Sequence, residues 1–139
     1  MTALTAGRKI QRRENRNFNY PVAAGVKIFP GALVVITTGG YARPARTNTT
    51  DKVVGVAEQL ADNTNGANGD IRVKTVAGTF NFVNSTAGDA IALGNVGDPA
   101  YVVDDQTVAL TSNTNTRITA GKIIDVDSDG VWVNVGPGR

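Results

Sequence analysis

Apolar positions in this chain come in short runs broken by glycine, proline and asparagine, with little sustained recurrence at helical spacing. The densest run is Val22 to Pro44, VAAGVKIFPGALVVITTGGYARP. Val26, Ile28 and Phe29 make a first short strand. Pro30-Gly31 is a turn pair, because proline presets φ and glycine accepts φ > 0. Ala32 to Ile36 is apolar throughout, the pattern of a strand buried on both faces. Gly39-Gly40 signals a tight hairpin, and Tyr41 starts the return strand.

The rest of the body repeats this short-stranded pattern. Lys52 to Leu60 is β-branched early and reads as a strand. Ala61 to Asp70 holds two Asn-Gly pairs and no apolar anchor, which predicts an exposed loop, the most mobile of the body. Ile71 to Val76 alternates, with Arg72 and Lys74 on the polar face. Thr79 to Val83 places Phe80 and Phe82 on one face, as core residues. A single helical turn fits around Leu93 to Val96. Pro99 to Val103 and Thr107 to Leu110 are strands joined by Asp104-Asp105. Arg117 to Val126 and Val131 to Val135 form a last hairpin across Asp127-Ser128-Asp129-Gly130. Trp132, the only tryptophan, is expected in the core or in a subunit interface. Val131 and Tyr101 are expected near exposed edges of the body, available for association. Ala24-Gly25-x-x-Ile28 is echoed by Ala87-Gly88-x-x-Ile91, and Gly55-Val56-Ala57 by Gly121-Lys122-Ile123. The echo points to two similar β units closing one barrel, or to a coincidence of glycine positions.

Composition narrows the function classes. At 139 residues the chain supports one domain. Glycine, threonine and asparagine favour turns and strands over helices. Cysteine and histidine are both absent, so no disulfide forms and a zinc site lacks its preferred ligands. Ser–His and Cys–His nucleophile pairs are excluded. Neither enzymatic activity nor a metal or other cofactor is expected. No apolar run is long enough to span a membrane, and the N-terminus carries no export-signal pattern, so synthesis in a host cytoplasm is expected.

Charge is distributed unevenly. Residues 1–20 carry five basic side chains and one acidic, a net of +4, whereas residues 21–139 are net −2. The segment GRKIQRRENRNFNY has no clean period, so residues 1–20 read as an arm, 21–135 as the body and 136–139 as a free tail. The arm is either a solvated tail or a segment that orders on an acidic partner. In the second reading Arg8, Lys9, Arg12, Arg13 and Arg16 pair with carboxylates, and Ile10, Phe18 and Tyr20 are the apolar anchors. Nucleic acid is disfavoured as the target, since no basic stripe on the body continues the contact.

Other motifs have ordinary explanations. Asp125 to Gly130 matches the first half of a calcium loop, but the twelfth position is Gly136 and a strand follows, so a hairpin turn is expected. Asn48-Thr49-Thr50 and Asn84-Ser85-Thr86 are sequons without an export signal. Asp104-Asp105 is a turn pair before it is a catalytic dyad.

Four stretches together, PVAAGVKIFPGALVVITTGGYARPA, VVGVAEQLADNTNGANGDIRV, GDPAYVVDDQTVAL and AGKIIDVDSDGVWVNV, resemble the capsid cement (head decoration) proteins of tailed bacteriophages, of the Mu-like phage and prophage type. The resemblance spans about residues 20–135. It implies an all-β fold, a small β-barrel or β-tulip of short strands with an extended N-terminal arm. It implies a structural protein on the outer surface of the virion head, clamping major capsid protein subunits as a homotrimer, without catalysis. The rival is a nucleic-acid-binding barrel of OB type, for which Arg72 and Lys74 beside Phe80 and Phe82 are the candidate face.

Overall fold

A computed structural model describes residues 2–139. The chain is all-β, as its pattern predicts, and its strands form an open sheet, a closed barrel and a two-stranded cover. The open sheet has the spatial order β1 (Asn17–Pro21), β7 (Arg72–Val76), β5 (Lys52–Ala57), β3 (Leu33–Ile36) and β4 (Ala42–Pro44), antiparallel throughout. The cover pairs β2 (Lys27–Ile28) with β6 (Ala61–Asp62). The barrel is closed by β8 (Gly78–Asn84), β9 (Pro99–Val102), β10 (Thr107–Ala109), β11 (Thr119–Asp127) and β12 (Gly130–Val135). Its order is β10-β8-β12-β11-β9, and only β8 and β10 run parallel.

Strand β3 explains the arrangement. Leu33 and Val35 face the barrel and pack with Phe82, Ile123, Val131 and Val133. Val34 faces the other way, into a cluster with Val22, Ile28, Val54 and Val73 under the cover. A strand alternates its side chains, so burial on both faces demands an unbroken apolar run. Each such side chain, fully buried, contributes about 1.5–3 kcal/mol. The Pro30-Gly31 turn closes with Ala32 N–H donating to Phe29 O at 3.1 Å. The Gly39-Gly40 hairpin joins β3 and β4, with Gly40 N–H donating to Thr37 O at 2.9 Å.

Several expectations need correcting. The two halves do not close one barrel: residues 78–135 close it alone, and the first half is the open sheet. The echoed glycines nonetheless share a role. Gly55 and Gly121 both sit beside register shifts, in β5 and β11. A Cβ on Gly55 would lie 2.7 Å from Val76 O, and one on Gly121 would strike Asn134 O. The neighbouring backbone thus approaches too closely for any side chain.

The 61–70 segment is not a loose loop. Ala61 and Asn63 are buried. Asn63 Nδ2 donates to Ala23 O and Ala67 O, each at 2.9 Å, and to Val22 O at 3.3 Å. Asp70 Oδ2 accepts from Ala67 N–H. These bonds fold the segment around one amide.

Trp132 is not a core residue. β12 points Val131, Val133 and Val135 inward, and Trp132 outward and half-buried. A five-stranded barrel is too narrow to hold an indole beside those valines. The Trp132 Nε1–H donates instead to Asp127 Oδ2 at 3.0 Å. For the same reason Val131, expected near an exposed edge, is fully buried, while Tyr101 is half-buried. The expected helical turn is present as the second of two 3-10 turns, Leu93–Asn95, after a first at Ala87–Asp89.

Candidate functional site

The arm leaves the body at the edge of the open sheet. Residues 2–16 belong to no strand and are exposed, so Arg8, Lys9, Ile10, Arg12, Arg13 and Arg16 all stand in solvent. Ile10 is 83% exposed. Among the described residues the ion pairs are Lys27–Asp62, Arg46–Asp51 and Arg117–Asp89, and none involves the arm.

Phe18 and Tyr20 are placed differently. The span Asn17-Phe18-Asn19-Tyr20 alternates polar and aromatic residues and pairs with β7, so the body's sheet begins inside the segment read as arm. Tyr20 packs on the cluster beneath the cover, and burial raises its phenol pKa. Phe18 is half-buried beside it, ring centroids 6.4 Å apart. Both aromatics therefore fasten the root of the arm to the body, while the cationic stretch and Ile10 project beyond it. The alternation over Asn17–Tyr20 was the available signal, masked by the aperiodic basic run before it.

The root has a second fastening that the sequence did not reveal. Ala77 N–H donates to Arg16 O at 2.7 Å. Asn15 Nδ2 donates to Pro137 O at 2.7 Å, and Arg139 Nη2 donates to Asn15 O at 3.1 Å. Residues 136–139, read as a free tail, form a turn held by Arg139 N–H on Gly136 O. The two chain ends clasp each other, which fixes the direction in which the arm departs.

A groove of about 650 Å³ runs beside the root. Arg13, Arg72 and Lys74 line it together with Glu14, Glu58, Asn17 and Asn19, a balance of three cations to two acids. A second groove of about 840 Å³ lies between sheet and barrel, with Tyr20, Val53, Tyr101, Ile118 and Arg139 among its walls. The OB-type face is not assembled: Phe80 and Phe82 pack in the barrel core, whereas Arg72 and Lys74 stand on β7 of the other sheet. Asp104 Oδ1 accepts from Gln106 and Thr107 N–H, closing the turn, and burial followed by the Asp104 charge raises the Asp105 pKa. In the aspartate-rich hairpin, Asp127 accepts from Trp132 and from Asp129 N–H, and Asp125 from Val126 N–H. No helix among the described residues is long and apolar enough to cross a membrane. No protein-family model matches the chain, and comparisons with curated proteins and with solved structures likewise give no match.

Proposed function

We propose that this protein is a structural component of a phage virion, a cement protein that decorates the outside of the head and clamps major capsid protein subunits. The observation that supports it best is the exposed, unpaired, cationic arm rooted by two fastenings in a rigid β body. Residues 2–16, fully extended, reach roughly 50 Å, enough to cross a neighbouring subunit. Ordering the arm costs about 1–2 kcal/mol per residue in backbone entropy. Exposed ion pairs return only about 0–1 kcal/mol each. Attachment therefore needs Ile10 and Leu4 to bury apolar surface on the partner as well. The resemblance to cement proteins over about residues 20–135 supplies the identity of that partner.

The same reading makes the body trimeric on the shell. Leu93 on the 3-10 turn Leu93–Asn95, Val96 just after it and Ile124 of β11 are exposed, and Gly97 N–H ties the chain after the turn to Ile123 O of the same strand. An apolar patch of this kind gains burial when copies associate. Mass measurement of protein released from heads tests this, and an exclusively monomeric species on and off the head contradicts it.

The test of function is co-sedimentation of purified protein with undecorated heads and, separately, with duplex DNA. The reading predicts saturable binding to heads and none to DNA at physiological salt. Binding to DNA without binding to heads contradicts it.

A further inference from the structure

We propose that the outer edge of β1 is a strand-addition site for an acidic, extended segment of a partner protein. The two edges of the open sheet differ. β4 is only Ala42–Pro44, ends in proline, and is bridged at Ala42 by Val22, so it offers little backbone for pairing. β1 is longer; it too ends in proline, and Val22 just beyond it carries the same bridge, so its open edge is Asn17 to Asn19, paired on one side alone, by β7.

The hydrogen-bond parity of β1 shows which groups point away from β7. Arg16 O accepts from Ala77 N–H, and Val22 N–H donates to Ile71 O at 3.0 Å. Even-numbered residues thus bond to β7. Strand alternation turns the N–H and C=O groups of Asn17 and Asn19 away from it. Asn17 and Asn19 are also exposed. Such a row of outward backbone groups is what an incoming strand uses.

Charge selects the occupant. Arg72 Nη2 donates to Asn19 O at 3.0 Å, which places a guanidinium at the lip of the edge. Lys74 and Arg13 line the adjoining groove, and Arg12 and Arg16 follow on the arm, against Glu14 and Glu58. A second copy of β1 would bring its own arginines against these, so self-pairing is opposed. A carboxylate on an acidic segment would draw Arg72 from Asn19 O, so the segment gains that ion pair together with the outward backbone groups of Asn17 and Asn19. This inference deepens the attachment role and rests on it only for the partner's identity. Peptides test the edge, whereas heads test the role.

The probe is a capped peptide of alternating Glu and Val, added to the full-length protein labelled for amide NMR. Binding is expected to saturate, to weaken with salt, and to slow hydrogen exchange at the Asn17 and Asn19 amides. The Phe18 and Tyr20 amides, already bonded to β7, keep their rates. Asn19→Pro removes only an outward N–H, so the thermal transition should persist while affinity drops about fivefold. Methylating those peptide nitrogens that would donate to β1 should give a similar loss on the intact chain, which decides the matter even if Asn19→Pro fails to fold. A Lys-Val peptide of equal length should not bind. Failure of the acidic peptide to bind, binding without protection of Asn17 and Asn19, or undiminished binding of the methylated peptide overturns the proposal.

Discussion

At the scale of single residues, buried amides and carboxylates set the local shape. Asn63 bonds three carbonyls from one side chain; Val22 O also accepts from Gly69 N–H and Ala67 O from Asp70 N–H, so Ala23 O is the acceptor that depends most on the amide. Asn63→Ala is expected to destabilise by about 1–3 kcal/mol, measured by denaturant unfolding, because Ala23 O loses its donor and the amide's links among three segments are cut. Asp89 locks the 111–117 loop to the first 3-10 turn: the Thr111 hydroxyl and then Arg117 hold its carboxyl below the ordinary value of 3.8. A depressed carboxylate pKa stabilises the fold fully above the unfolded value, and the contribution is lost as pH falls through the folded value. The stability gap between wild type and Asp89→Asn, about 1–2 kcal/mol at neutral pH, should therefore close on acidification below the ordinary carboxylate range. A gap that is constant with pH contradicts this account of Asp89. Neither Asn63 nor Asp89 was legible in the sequence. Apart from Ala67, four residues from Asn63, their partners lie 22 to 41 positions away in the chain, and composition marks such residues only as loop formers.

At the scale of elements, local pattern carried most of the information. The all-apolar β3, the alternating β7, the Pro30-Gly31 turn and the two-glycine hairpin were readable because each follows from backbone preference and burial alone. Of the two places expected for Trp132, core or subunit interface, the core is excluded: period-2 alternation leaves open which face is inward, and bulk alone argued for the core. The valines of β12 occupy the interior instead. Trp132→Phe should accordingly cost less than about 1 kcal/mol, whereas Ile123→Ala, at a fully buried site, should cost about 2–5 kcal/mol. Thermal or denaturant unfolding of the two variants compares them directly, and a larger loss for Trp132→Phe would contradict the placement. The chain ends were the least readable element. Removing residues 137–139 should release Asn15 and speed exchange of the Ala77 amide, which donates to Arg16 O, while leaving the barrel strands protected.

At the scale of the whole molecule, two units divide the work. The barrel supplies a closed core without strand edges, and the open sheet is held against it through Leu33, Val35 and Val56. The sheet keeps one long edge, and the cationic arm starts there. Barrel closure by the second half alone could not be read from the chain, because closure depends on long-range register and not on local pattern. The uneven charge was legible at once, since it needs only counting. The central claim is that a rigid body stabilises a shell through this arm. The most direct measurement is the temperature at which undecorated heads release their DNA, recorded with no added protein, with the intact chain, and with a variant lacking residues 2–14. That variant keeps Asn15, β1 and the clasp with residues 137–139. The account predicts that the intact chain raises the release temperature, that the truncated chain folds normally, and that the truncated chain leaves the release temperature where bare heads have it. Equal protection by the truncated chain, or no protection by the intact one, contradicts the account.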